Sequence, residues 1–230
     1  MVIALSEPLL RDLELEIAFN VRHLGGYESS FGSVTTDRLL RSASLHRLSR
    51  GAIGALADRG VTTVVDLRSS VELERDVTPD LAWAGIRSVH APVFEQDASP
   101  AAFDAAFPGY AEIYQQFLET GRAAYRTLAE TVARSEGTVL FHCAAGKDRT
   151  GVGAALLLEL AGVGGATIVE DYSRSAALLE PMRALMRERM GAEGLPPLSP
   201  ERVDELMASH PADMVSTLSH IAARWGSAEG

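Results

Sequence analysis

A short run, Thr138-Val139-Leu140-Phe141, ends in His142-Cys143, and Arg149-Thr150 then lead into Gly151–Val163, which is apolar on nearly every side. The first run follows Gly137 and reads as a central strand. The second reads as a fully buried helix. A buried strand feeding a buried helix needs cover on both faces, so the segment points to an α/β sheet flanked by helices. The loop between them is built to receive an anion. The first N–H groups of a helix have no partner inside it, and the helix dipole favours negative charge there. Gly146 permits the curl that turns successive N–H groups inward. Arg149 carries a planar fork matched to two phosphate oxygens. The same field would hold Cys143 as a thiolate, the nucleophilic form of the side chain.

The surrounding pattern agrees with a central, mostly parallel sheet. Leu15–Val21 alternates apolar and polar residues before a Gly25-Gly26 turn, and Arg38–Ala43 is a second candidate strand. His46–Arg59 has helical periodicity and stops at Gly60. Val61–Leu67 is rich in β-branched residues, as expected of a buried strand, and Ile86–Val93 is another candidate. Residues 94–108 read as irregular. Tyr110, Tyr114, Phe117, Tyr125, Leu128 and Val132 recur at helical spacing, interrupted at Gly121. Ile168, Tyr172, Leu179, Met182 and Met186 mark a further helical stretch. Ser199-Pro200 reads as a helix start, and Met214, Leu218, Ile221 and Trp225 form the apolar stripe of a last helix. Nothing in residues 1–230 marks a firm domain boundary, so one domain is expected, with the motifs in about 15–180 and a helical region at about 199–226.

Composition narrows the function. One cysteine excludes an internal disulfide framework and multi-cysteine metal sites. A formal charge of −10 argues against a nucleic-acid binder. No apolar run approaches the ~20 residues of a membrane span, and the first residues carry no secretory signal pattern. A cytoplasmic, reducing location is the default expectation, with an unconventional exit from the cell left open. Lys147 is the only lysine, four positions from the only cysteine. Gly146-Lys147 is not a nucleotide-binding loop, because Asp148 stands where Ser or Thr is needed. Gly151-Val152-Gly153 lacks the third glycine of a dinucleotide fingerprint. No cofactor is called for, and no residue lies at ligand spacing from His142 to make it a metal site.

His142-Cys143-Ala144-Ala145-Gly146-Lys147-Asp148-Arg149 resembles the phosphate-binding loop of the cysteine-dependent protein tyrosine phosphatase superfamily, in its bacterial atypical branch of dual protein and phosphoinositide phosphatases. Asn20–Gly26, Leu40–Leu45, Val65–Ser69 and Asp171-Tyr172 resemble that branch too. The resemblance implies a phosphatase that hydrolyses phosphomonoesters of tyrosine-phosphorylated proteins, phosphoinositides or both through a phosphocysteine. It implies Cys143 as nucleophile, and Arg149 with the backbone of Ala144, Ala145, Gly146 and Lys147 as the phosphate cradle. Thr150 would hydrogen-bond the Cys143 sulfur, and His142 would order the loop. The general acid would be Asp148, with Asp97 as runner-up; Asp148 can also be read as an N-cap or an ion-pair partner of an arginine. Lys147 would meet a second phosphate, or else point outward into water. Asp66 and Arg68, at the end of a buried strand, would orient Arg149 or line the pocket, or form a simple ion pair. Whether residues 94–134 cover the site stays open, as does the oligomeric state. Two other readings of the loop are a rhodanese-like sulfurtransferase and a non-catalytic phosphate-binding module.

Overall fold

In the computed structural model the described residues are 19–36, 38–95, 108–183 and 199–228. Strands β1 (Arg22–His23), β4 (Leu39–Ser42), β5 (Val61–Asp66), β6 (Arg87–His90) and β7 (Thr138–His142) form one sheet in the order β1-β4-β7-β5-β6. Strands β2 (Glu28–Ser29) and β3 (Gly32–Ser33) pair separately as a hairpin. Only β1 runs antiparallel to its neighbour; β4, β7, β5 and β6 are mutually parallel. In register, Ser42 and Asp66 both lie beside His142. Three strands therefore end together, and the loop after β7 emerges at the carboxyl edge where open α/β sheets bind ligands.

Side-chain alternation assigns each face. Val65, Val139 and Phe141 point into the larger core, and Leu40, Val64 and Leu140 point into the smaller one. The smaller face is covered by helix α1 (Arg50–Asp58), whose Ile53 and Leu56 are buried. The larger is covered by α3 (Tyr110–Thr120), α4 (Arg122–Arg134), α5 (Asp148–Leu160), α6 (Gly165–Ser173) and α9 (Pro211–Trp225). Each fully buried Leu or Phe contributes about 1.5–3 kcal/mol. Helix α2 (Ser70–Arg75) follows β5, and α7 (Ser175–Leu178) follows α6. Met214 and Ile221 of α9 belong to the larger core. Val203 and Met207 of α8 (Pro200–Met207) pack with Leu179, and Ala145 of the Cys143 loop packs against the same cluster.

Several expected boundaries move. The first helix begins at Arg50, not His46, because the Ser49 hydroxyl accepts the Ala52 N–H and sets its start. The helix after the loop begins one turn earlier than Gly151, at Asp148, and ends at Leu160. Residues 15–18 of the first expected strand lie outside the described residues; its visible end is not a strand, and Asn20 takes a positive φ of 57°. Helices α3 and α4 are core elements, and residues 96–107 of the stretch left open lie outside the described residues.

Candidate active site

The loop from Cys143 to Lys147 is shaped by donors outside it. Asn20 Nδ2 donates to the carbonyls of Ala145 (3.1 Å) and Gly146 (2.8 Å). Arg41 Nη2 donates to the Gly146 carbonyl at 2.8 Å, and the Ser44 N–H to that of Ala144 at 2.9 Å. With these carbonyls drawn to one side, the N–H groups of the turn face the other, which makes an anion-binding concavity. No backbone acceptor is found for the N–H groups of residues 144–149 among the described residues. Gly146 has φ +66°, and a Cβ there would meet the Ser42 carbonyl oxygen at 2.2 Å, so only glycine fits.

Cys143 leaves β7 buried, and Arg149 stands in the first turn of α5. Two Arg149 N–H groups donate to Glu72, Nη1 to Oε2 at 2.5 Å and Nη2 to Oε1 at 2.8 Å. Burial opposes both charges, but the paired fork outweighs it, holding Glu72 below the usual carboxylate range and Arg149 above its own. Glu72 is itself placed by a capping box: its Oε2 accepts the Ser69 N–H at 2.9 Å while the Ser69 hydroxyl accepts the Glu72 N–H. The Arg149 guanidinium also lies 4.8 Å from the centre of the Phe94 ring. A guanidinium has five N–H donors, so three remain beyond the two that hold Glu72.

Behind the loop lies a buried ionic cluster. Asp171 on α6 accepts from Arg22 Nε at 2.9 Å, Arg41 Nη1 at 2.7 Å and the Tyr27 hydroxyl at 3.1 Å. Arg22 Nη1 donates in turn to the Asn20 side-chain oxygen. Two of the three residues that pull on the loop carbonyls are thus tied to one carboxylate, Arg41 directly and Asn20 through Arg22. Burial alone would raise the Asp171 pKa, but Arg22 and Arg41 bring it from 3.8 to about 2. A folded-state pKa below the unfolded one stabilises the fold above about pH 4, and that stabilisation fades as pH falls towards 2. Asp171→Asn should therefore lower unfolding free energy by about 3–5 kcal/mol at neutral pH, since two buried guanidiniums lose their counter-charge. Urea unfolding at pH 7 checks this, and the difference from wild type should shrink when repeated near pH 3.

The expected site residues divide. Cys143, Ala144, Ala145, Gly146, Asp148 and Arg149 come together in the loop. Lys147 does not stand at an open rim: its side chain is fully buried, with Nζ donating to the carbonyls of Leu206 (2.7 Å) and Ala208 (2.9 Å) at the end of α8. Nζ also lies 3.7 Å over the Tyr110 ring and 3.3 Å from Asp148 Oδ1. A buried ammonium needs acceptors, and a helix C-terminus supplies unpaired carbonyls and the negative end of the dipole. The Thr150 hydroxyl is buried with no hydrogen-bond partner among the described residues, so the expected bond to the Cys143 sulfur is not formed. Asp66 and Arg68 pair with each other, Nη2 to Oδ2 at 2.6 Å, and it is Glu72 that holds Arg149. His142 Nδ1 lies 3.1 Å from the Cys143 carbonyl, and burial pushes the ring pKa down. Asp148 is the first residue of α5, with Lys147 as its N-cap, so Asp148 is not the cap. Among the described residues its ion-pair partner is Lys147, at 3.3 Å, with Arg149 acting at longer range. Asp97 lies outside the described residues.

Residues 13–230 match the Tyrosine phosphatase family. The chain belongs to the tyrosine phosphatase family. Its relatives include a Tyrosine-protein phosphatase of Nostoc commune, 36% identical over 153 residues, which cover 64% of this chain and 51% of that protein, so the match spans about half the relative's length. The Triple specificity protein phosphatase PtpB of Mycobacterium tuberculosis is 33% identical over 220 residues, 83% of this chain and 78% of that protein. Among solved structures, TpbA of P. aeruginosa matches with 19% identity, 69% of this chain and 80% of that one, at a TM-score of 0.35. Membership of the tyrosine phosphatase family supports phosphatase function and a phosphorylated substrate. Among the described residues no helix is long and apolar enough to cross a membrane.

Within this phosphatase-family chain, sequence reasoning missed Glu72, and its signal was present: Ser69-Ser70-Val71-Glu72 is a capping box directly after a buried strand. It also gave no role to Asn20, Arg22, Arg41 or Asp171, although all four lie in segments that carried the resemblance. An arginine in a strand pattern says only that something must neutralise it; the partner is 149 residues away in sequence.

Proposed function

We propose that this phosphatase hydrolyses phosphotyrosine-type monoesters by covalent catalysis at Cys143. The observation that carries the reading is the loop whose carbonyls are drawn outward by Asn20, Arg41 and Ser44, beside Cys143 and a Glu72-held Arg149. The Cys143 thiolate attacks phosphorus, and the bond from phosphorus to the leaving oxygen breaks. The equatorial oxygens, where transition-state charge spreads, meet the loop N–H groups and the Arg149 fork. Asp148 supplies a proton to the departing oxygen. Water then attacks the phosphocysteine, Asp148 takes its proton, and phosphate leaves with the thiolate restored. Lys147, engaged by α8, lends no support to recognition of a second phosphate, so phosphotyrosine is favoured over phosphoinositides. Relatives named tyrosine-protein phosphatase support the same choice.

Turnover of p-nitrophenyl phosphate separates this reading from sulfur transfer and from passive phosphate binding. The acid is tested by leaving-group dependence. Asp148→Asn should slow phosphotyrosine hydrolysis by about 10²–10⁴-fold, the usual worth of a general acid. It should slow esters of acidic phenols far less, because such leaving groups need no proton. If Asp148→Asn keeps wild-type leaving-group dependence while Asp97→Asn loses it, the acid is Asp97.

A further inference from the structure

The Asp148 carboxylate is held from several sides at one oxygen. Oδ1 accepts the Tyr114 hydroxyl at 2.5 Å and faces Lys147 Nζ at 3.3 Å. Neither partner is loose. The Tyr114 ring is fully buried on α3, and its hydroxyl lies 2.7 Å from that of Tyr172 on α6, itself 1% exposed. A hydroxyl has one proton to give. Tyr114 gives its proton to Asp148, so at the 2.7 Å contact Tyr172 is the donor, and the chain runs Tyr172 to Tyr114 to Oδ1. Lys147 Nζ is fixed by the Leu206 and Ala208 carbonyls. Oδ2 makes no hydrogen bond among the described residues, and the Asp148 side chain keeps 27% of its surface open.

We propose that Tyr114 is the positioning residue of the general acid: by occupying Oδ1 with a hydroxyl that Tyr172 orients, it leaves Oδ2 as the atom that carries the proton and meets the leaving oxygen. This rests on the reading of Asp148 as the acid. The chemistry explains why a core position of α3 carries a phenol. A hydroxyl buried without a partner costs free energy that Phe would avoid, and here its partner is a carboxylate at the mouth of the loop. Proton transfer needs the acid within about 3 Å of the leaving oxygen and correctly turned. A carboxyl free to rotate would present either oxygen, and the proton would be misplaced in part of the molecules.

The test is a cycle of Tyr114→Phe and Asp148→Asn on two substrates, phosphotyrosine and 2,4-dinitrophenyl phosphate. Tyr114→Phe should lower kcat on phosphotyrosine about tenfold, the worth of one charge-assisted hydrogen bond, with KM little changed. On the dinitrophenyl ester it should lose less than about twofold, since that leaving group needs no acid. Added to Asp148→Asn, it should cost nothing further, because its effect runs through that carboxyl. Tyr172→Phe, which keeps the Tyr114 contact but removes its orienting donor, should show the same substrate pattern with a smaller loss. Equal losses on both substrates, or full additivity with Asp148→Asn, would overturn the proposal and make Tyr114 a packing residue, even with Asp148 still the acid. If Asp148→Asn itself shows no leaving-group effect, the acid assignment and this proposal fall together.

Discussion

Cys143→Ser is expected to abolish turnover while leaving the fold intact. The nucleophile in this chemistry is the thiolate, and a thiol ionises far more readily than an alcohol. A serine hydroxyl stays un-ionised at neutral pH, so it is the poorer nucleophile. Losing a covalent nucleophile costs on the order of 10⁴–10⁶ in kcat. The fold should survive because serine is no larger and Cys143 is a lone, buried thiol without a disulfide. The Ser variant should also still bind inorganic phosphate, since the N–H cradle and Arg149 are untouched. Activity on p-nitrophenyl phosphate, thermal unfolding and phosphate binding by calorimetry check the three statements. Turnover near wild type in the Ser variant would exclude the covalent route.

Arg149→Lys should be nearly as damaging to activity as Arg149→Ala, yet much less damaging to stability. The guanidinium would do two jobs: two of its N–H groups hold Glu72, and in the proposed mechanism the others meet the phosphate. Lysine offers a point charge on a flexible stem and cannot span both with matched geometry. The expected loss in kcat/KM is on the order of 10³-fold for each variant, the scale of removing a preorganised transition-state donor. Stability should split them. Arg149→Ala leaves Glu72 as a 2% exposed carboxylate without its counter-charge, a change that costs about 3–5 kcal/mol. Arg149→Lys keeps a cation beside it and should cost clearly less. Denaturant unfolding run beside the kinetics reads both quantities. Recovery of most of the activity by lysine would mean that simple charge attraction, and not the fork, holds the phosphate.

The loop of the candidate site was legible in the sequence because strand, tight turn and helix start are one continuous segment. Cys143, Gly146 and Arg149 follow each other along the chain, so one continuous turn carries all three, with Asn20, Arg41 and Ser44 holding its carbonyls from outside, and the alternation of Leu140 with Val139 and Phe141 sets the two faces of β7. The parallel sheet followed from strands separated by helices. What local pattern could not decide was where buried charges find their partners. Arg149 turned to Glu72, 77 positions earlier, and not to Asp66, because Asp66 is already held by Arg68 two residues on. Arg22 and Arg41, near the start of the motif-bearing region, converge on Asp171 near its end. Lys147 read as a rim cation, meeting a second phosphate or pointing into water, but α8 brings the Leu206 and Ala208 carbonyls to its Nζ and removes it from solvent. Sequence spacing determines which groups share a turn or a strand face. Only the packing of α2, α6 and α8 around the loop decides which charges meet, because a desolvated ion must be paired wherever the fold happens to place its counter-charge.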